Sequence, residues 1–285
     1  MSHLSLKQAL QWAIGVLTTQ EDSACLEAEL LLAHVLQKPR SYLFTWPEKT
    51  LDDAQNNAFQ TLVAQRLQGR PIAHLIGKRE FWTLELSVTP DTLIPRPETE
   101  LLVELALERI PPNQTCNILD LGTGTGAIAL ALASERPQAQ IMAIDQSLSA
   151  LQIAKLNAER YQLTNIQFIQ SNWFTNLANT AHPVFDVIVS NPPYIAEGDQ
   201  HLKQGDVRFE PLTALTAGHD GLNDLRVIVQ QAPDYLTKQG WLLVEHGYDQ
   251  GLAVRQLFAQ AGFTAIATKQ DLAGHDRVTL GHVLD

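Results

Sequence analysis

From Asn117 onward, short apolar runs alternate with longer amphipathic stretches, and this alternation limits the fold more than any other feature of the chain. The apolar runs lie at 117–121, 140–144, 166–169, 185–189 and 241–244, with later ones near 263–267 and 278–283. Each has the length of a strand. The intervals leave room for helices, 148–158 being the clearest. Strand–helix–strand order of this kind predicts an α/β fold, a doubly wound and mostly parallel sheet with helices on both faces.

The preceding segment reads differently. Leu6, Ala9, Leu10, Ala13 and Leu17 recur at helical spacing. Ser23 is the expected N-cap of a second helix carrying Leu26, Leu30, Leu31, His34 and Val35, and a third helix runs from about Asp52 to Leu67. It stops at Gly69-Arg70-Pro71. None of these residues suggests chemistry. They predict a small bundle that either recognises a partner or only supports the fold.

Between 78 and 88, Phe81, Thr83, Glu85 and Ser87 alternate with Trp82, Leu84, Leu86 and Val88, a period of two that predicts a bridging β-hairpin. Prolines on both sides of Arg96 then force an extended segment. Glu98 and Glu100 suit the positive end of a helix bearing Leu101, Leu102 and Leu105, which Pro111-Pro112 should stop after Ile110. The expected organisation is a helical domain at 1–76, a hairpin linker at 77–95 and a catalytic domain at 96–285.

The chain has 285 residues, 45% hydrophobic and 18% charged, enough for two domains. No apolar run is long enough to span a bilayer, and Met1 to Gln8 lacks the basic-then-apolar order of a signal peptide. Cys25 and Cys116 stand far apart, and the nine histidines show no ligand spacing. These features predict a cytoplasmic protein with no disulfide framework and no structural metal. The net charge is −11; 1–75 holds six basic against seven acidic residues, leaving −10 for the remainder. A protein that clamps a duplex usually carries the opposite sign, and a basic protein partner fits better.

Four constellations at strand ends carry chemistry. Asp120-Leu121-Gly122-Thr123-Gly124-Thr125-Gly126 follows an apolar run and precedes a helical one. Glycines there let the backbone turn sharply and approach a ligand. Alone, such a loop also fits a dinucleotide site or a structural turn. Asp145 closes the second run, where a carboxylate can grip both hydroxyls of a ribose; the bland alternative is a helix cap, a task Ser147 can perform. Asn172-Trp173 ends the third run, placing an aromatic ring where it can stack on or edge against a base.

The fourth is Ser190-Asn191-Pro192-Pro193-Tyr194 at the exit of 185–189. Two prolines end the strand and fix the backbone, so that Asn191 and Tyr194 project at little entropic cost. A planar amide or aniline-like nitrogen is a poor nucleophile because its lone pair is delocalised. The Asn191 side-chain oxygen and the Pro192 carbonyl can each accept one of its N–H groups, aligning it and stabilising the developing positive charge. Tyr194 can stack on the flat group. The nitrogen becomes strongly acidic once alkylated, so water can take the proton.

Asn-Pro-Pro-Tyr with the Gly-x-Gly-x-Gly loop resembles two groups within class I S-adenosylmethionine-dependent methyltransferases. One acts on the amino group of DNA adenine (the N6-adenine type). The other is the protein-(glutamine-N5) methyltransferases, the PrmC/HemK family, acting on peptide chain release factors. Phe81-Trp82, Leu93 to Glu100, Asp206 to Pro211 and Asp271 to Val278 resemble signatures of the second group, and the likeness covers nearly the whole chain.

It implies a Rossmann-like catalytic domain with cofactor contacts from Asp120, Gly122, Thr123, Gly124, Thr125, Gly126, Asp145, Asn172, Trp173 and Asn191. It further implies substrate amide contacts from Asn191, Pro192, Pro193 and Tyr194, with Asn191, Pro192 and Tyr194 catalytic. The helical domain would grip the release factor and present the glutamine of its Gly-Gly-Gln loop, with no membrane or direct nucleic-acid partner. Asn172 departs from the aspartate frequent in that family, which implies weaker cofactor binding.

Arg96, Glu98, Arg208 and Glu210 are read either as buried structural pairs or as residues that shape the site. His74, His246 and His275 are read as satisfied or surface histidines. A nucleic-acid amino methyltransferase would use the same Asn191 geometry on a flipped base, but predicts a basic groove that the acidic catalytic half does not supply. A nicotinamide-dependent dehydrogenase would use the glycine loop and leaves Asn-Pro-Pro-Tyr without a role.

Overall fold

The computed structural model describes residues 4–18, 23–177 and 184–284; Met1 to His3, part of the stretch read for a signal peptide, lie outside them. Internal contacts divide the chain into two compact units, Met1–Lys78 with Lys203–Phe209, and Arg79–Leu202 with Glu210–Asp285.

The first unit is helical: α1 (Leu6–Leu17), α2 (Ala24–Leu36), α3 (Arg40–Thr45), α4 (Asp53–Leu67) and α5 (Ile72–Ile76). Ser5 and Asp52 close α1 and α4 with reciprocal capping boxes to Gln8 and Gln55. Each cap satisfies amides the helix leaves open, a contribution of about 1 kcal/mol. Leu6, Ala9, Ala13 and Leu17 all face a core with Leu31, Leu32, Phe59 and Val63, as their spacing predicts.

Two details depart from the sequence reading. Ser23 precedes α2, but its hydroxyl bonds the Glu27 side chain instead of capping the helix. The short helices α3 and α5 hold too few residues to show a period, and each starts after a proline, Pro39 or Pro71. Arg66, buried, holds Glu27 through two bonds of 2.8 Å and Asp206 through one of 2.9 Å. This pairing satisfies charges that would otherwise be costly inside the unit.

The second unit starts at Arg79, inside the hairpin of β1 (Lys78–Phe81) and β2 (Leu84–Ser87). The single alternating run expected there is broken at its turn. Trp82 takes φ +57° and its N–H donates to the Glu100 carboxylate at 2.8 Å. That turn resets the phase, so Phe81 is buried on the same terms as Leu84, Leu86 and Val88. Glu100 therefore serves the hairpin as well as opening α6 (Glu100–Leu107), which follows a 3-10 turn at Pro97–Thr99. The helix ends at Leu107, ahead of the expected stop at Ile110.

The sheet comprises β3 (Asn117–Leu121), β4 (Gln140–Asp145), β5 (Ile166–Gln170), β6 (Phe185–Ser190), β7 (Leu236–Glu245), β8 (Thr264–Gln270) and β9 (Asp276–His282). Their order is β5-β4-β3-β6-β7-β9-β8; β3 to β7 pair in parallel, and β9 runs antiparallel to both its neighbours. The helices between are α7 (Ala127–Glu135), α8 (Leu148–Arg160), α9 (Asn223–Gln231) and α10 (Gly251–Gln260). This is the doubly wound sheet that the alternation predicts.

Both faces are covered. Ile118, Val187, Val189 and Leu243 join one core with α6 and α7, while Leu119, Leu121, Ile188 and Val244 join another with α9 and α10. Such complete burial of a Val, Leu or Ile contributes roughly 1.5–3 kcal/mol each. The chain winds outward from β3 through β4 to β5, then returns to β6 on its other side. The crevice at that reversal, beyond the ends of β3 and β6, is where open α/β sheets bind ligands.

Candidate active site

A cavity of about 650 Å³ opens at the reversal, lined on one side by Gly122, Gly124 and Asp145 and on another by Asn191 and Pro193. That volume falls within the range of small-molecule sites.

The glycine side is made by backbone. Gly122 (φ +75°) turns the chain at the end of β3, and its N–H and that of Thr123 both reach the Ile144 carbonyl of β4 at 3.0 and 2.8 Å. A Cβ on Gly122 would lie 3.3 Å from the Trp173 ring. On Gly126 (φ +85°) it would meet the Leu130 side chain at 2.3 Å. Glycine is thus required at the first position by the ring and at the second by the packing of α7.

Asp120 lies fully buried behind the loop and accepts the Thr123 hydroxyl at 2.6 Å. Burial pushes its carboxyl up to about 7, against the pull of that hydroxyl. Asn157, also fully buried, donates to the Thr125 carbonyl at 3.0 Å and bonds both backbone groups of Ser87, tying loop to hairpin. Gly122 and Gly124 line the cavity, while Asp120, Thr123, Thr125 and Gly126 stand behind them in the loop.

Asp145 ends β4 and accepts the Gly124 N–H at 2.9 Å and the Ser147 N–H at 2.8 Å. Burial raises its pKa while these amides oppose the rise. Ser147 caps α8 through its hydroxyl, leaving Asp145 to face the cavity. Asn172 and Trp173 line the cavity as well. The indole N–H of Trp173 donates to Asp224 at 3.1 Å, and burial raises the pKa of that carboxyl. Asp224, in the first turn of α9, also lines the cavity. Nothing local in the sequence marks it.

The nitrogen of the Asn191 side-chain amide donates to the Thr99 hydroxyl at 3.0 Å. Its oxygen is thereby left as an acceptor at the cavity wall. Pro193 lines the cavity, whereas Pro192 is buried and does not. Tyr194 is partly buried against the core, and its hydroxyl donates to Glu245 at 3.3 Å, a partner the sequence reading did not name. Burial first, and the Glu245 charge second, raise its pKa.

Glu245, the last residue of β7, is fully buried and pushed up to about 7 by burial, with Thr99, Arg277 and Tyr194 pulling the other way. An acid closing an apolar strand is a signal the sequence does carry, at Trp241 to Glu245. Thr99 offers none.

Three of the residues left open by sequence now have a place. The fully buried Glu210 carboxylate pairs with Arg96 and accepts the Ile94 N–H at 2.9 Å. That pairing zips the segment around Leu93 to the segment around Pro211, both of which line the cavity. Arg208 belongs to the helical unit, where it donates to the Gln68 carbonyl at 3.2 Å. His246 is buried and hydrogen-bonded to Gly247 and Thr279, a satisfied core histidine whose pKa burial lowers. Among the described residues no cluster of three or more His, Cys, Asp and Glu stands ready for a metal, and no helix is long and apolar enough to cross a membrane.

Comparison with known proteins agrees with this architecture. A methyltransferase from Pyrococcus furiosus superposes with a TM-score of 0.53 at 17% identity, covering 78% of this chain and 98% of that one, a likeness of fold. Residues 112–275 match the family described as "Methyltransferase domain", and 8–77 that described as "PrmC N-terminal domain". Sheet order, glycine turn and cavity thus define a class I methyltransferase.

The release factor glutamine methyltransferase of Aliivibrio fischeri is 50% identical over 279 residues, covering 98% of this chain and 97% of its own length. That of Vibrio cholerae is 55% identical over 260 residues, with 91% and 90% covered. The chain belongs to the release factor glutamine methyltransferase family.

Proposed function

We infer that this chain transfers the methyl group of S-adenosylmethionine to the side-chain amide nitrogen (N5) of a glutamine in peptide chain release factors. The acceptor would be the glutamine of the Gly-Gly-Gln loop. The observation that carries this reading is the Asn191 amide. Its nitrogen donates to Thr99, which leaves its oxygen free to accept from a substrate N–H at a residue that lines the cavity.

The cavity suits the cofactor. Gly122 and Gly124 give a surface that no side chain obstructs, Asp145 keeps acceptor capacity for ribose hydroxyls beyond its two amide bonds, and Trp173 with Asn172 and Asp224 supplies a flat wall with polar atoms for adenine. When bound, S-adenosylmethionine supplies an electrophilic methyl on a sulfonium. Asn191 Oδ1 and the Pro192 carbonyl would each accept one N–H of the glutamine amide, aiming its nitrogen at that methyl. Transfer would exchange the donor's C–S bond for an N–C bond, and the acidified nitrogen held by Asn191 and Pro192 would release its proton to water. The preorganised acceptors stabilise the positive charge passing onto nitrogen. No metal ion enters this scheme.

The helical unit, matched to the family's own N-terminal domain, is assigned to gripping the release factor, a reaction that belongs in the cytoplasm. Mass spectrometry of a purified Gly-Gly-Gln release factor after incubation with this protein and S-adenosylmethionine tests the reading. One added methyl on that glutamine is expected. Methyl transfer to a nucleic-acid base and not to the release factor would overturn it.

A further inference from the structure

Three neighbouring strand ends bring together side chains that are far apart in sequence. Ser190 of β6 pairs with Val244 of β7, so Asn191 emerges beside Glu245. Glu245 in turn pairs with Val278 of β9, and Arg277 precedes it. The Glu245 carboxyl accepts the Tyr194 hydroxyl at 3.3 Å and faces the Thr99 hydroxyl, while Thr99 accepts the Asn191 amide N–H at 3.0 Å. One of its oxygens, Oε2, is buried without a hydrogen-bond partner among the described residues. A fully buried carboxyl so sparsely bonded is costly to keep, and its position beside the Asn-Pro-Pro-Tyr turn gives it a use.

We propose that Glu245 is a positioning residue for methyl transfer, acting through Thr99 to fix the Asn191 amide with its oxygen toward the substrate. An amide can rotate by half a turn and exchange its oxygen for its nitrogen. Only one orientation offers an acceptor to the glutamine N–H. An ionised Glu245 accepts the Thr99 proton, which obliges the Thr99 oxygen to accept from Asn191 Nδ2. A protonated Glu245 can donate to Thr99 instead, freeing the Thr99 proton to turn toward Asn191 and favour the unproductive orientation.

The groups facing Glu245 are consistent with this use. Tyr194 donates from the turn after β6, and Thr99 and Glu98 come from the 3-10 turn before α6. Arg277 approaches from β9, its guanidinium held at 3.2 Å by Asp271. Asp271 also accepts the backbone N–H groups of Ala273 and His275, so the Asp271 to Val278 stretch works as a clasp that aims Arg277 at the carboxyl. The attraction of Arg277 favours ionisation, whereas burial and Glu98 oppose it. The balance leaves the group titrating near neutrality, so turnover should rise with pH through about 7.

This proposal rests on the assignment of Asn191 as the acceptor, and the test separates the two. Single-turnover methylation of a purified release factor is followed from pH 5.5 to 9 for the unaltered protein and for Glu245→Gln, Thr99→Val, Thr99→Ser and Asn191→Ala, with S-adenosylmethionine affinity and thermal midpoint measured alongside. Glu245→Gln and Thr99→Val should each lower the maximal rate by about 10- to 100-fold, as loss of orientation does. They should keep cofactor affinity within a few-fold and lose the ascending limb near pH 7. Thr99→Ser should restore rate and limb. Unchanged rate and pH profile in Glu245→Gln would overturn the proposal, as would a Thr99→Ser protein no better than Thr99→Val. So would a parallel fall of rate, affinity and thermal midpoint. An active Asn191→Ala protein would instead remove the reading beneath it.

Discussion

The two walls of the cavity are built on opposite plans. At the ends of β3 and β4 the surface is backbone: Gly122 and Gly124 leave it bare, and Asp145 is locked by the N–H groups of Gly124 and Ser147. At the ends of β6, β7 and β9 it is a relay of side chains, Asn191 to Thr99 and Tyr194 to Glu245, with Arg277 alongside. A backbone wall is altered by changing its shape, as an added Cβ at Gly122 would. A side-chain relay can be altered atom by atom, and it responds to pH. Binding and chemistry should therefore fail separately when the two walls are altered separately.

The largest expected effect on the first wall comes from Gly122→Val. A side chain there meets the Trp173 ring and must hold φ near +75°. Calorimetric titration should show S-adenosylmethionine binding weakened by at least about 100-fold, the equivalent of roughly 3 kcal/mol. Asp145→Ala, which removes charge-assisted acceptors but not the turn, should cost about 10- to 100-fold in the same titration. If its maximal rate at saturating cofactor also collapsed, the separation of the walls would be lost.

Smaller effects sharpen the comparison. Arg96→Met removes the cation paired with the buried Glu210 carboxylate, and should destabilise the fold by about 2 kcal/mol in denaturant unfolding. Because the pair holds two segments that line the cavity, the KM for the release factor should rise more than that for the cofactor. The smallest effect concerns Asp120, whose folded pKa near 7 lies above its unfolded value. A raised carboxyl pKa contributes stability that is fully present below about pH 4 and is lost as pH rises through 7. Asp120→Asn should accordingly flatten the decline of the thermal midpoint between about pH 4 and 7, and an unchanged slope would contradict the burial argument.

What the sequence disclosed follows the same division. The glycine turn, Asp145, Asn172-Trp173 and the Asn191 to Tyr194 turn are contiguous segments at the ends of apolar runs, so local pattern sufficed to find them. The strand order beyond β6 and the partners of Asn191 are matters of long-range pairing. Thr99 lies 92 residues from Asn191 and Glu245 lies 51 from Tyr194. No spacing rule joins such positions. The Tyr194 hydroxyl's partner was hidden for a related reason: only the packed structure brings it to Glu245. The expected hairpin forms, but the place of its turn was hidden, because a φ of +57° at Trp82 breaks the alternation without any glycine to announce it.

The most direct test of the account pairs two readings on one protein, Asn191→Ala: the affinity for S-adenosylmethionine and the single-turnover rate of release-factor methylation. The account predicts an affinity within about three-fold of the unaltered protein and a rate lower by roughly two to three orders of magnitude, as expected for loss of one preorganised polar contact. A rate near normal, or an affinity that falls in step with the rate, would contradict it.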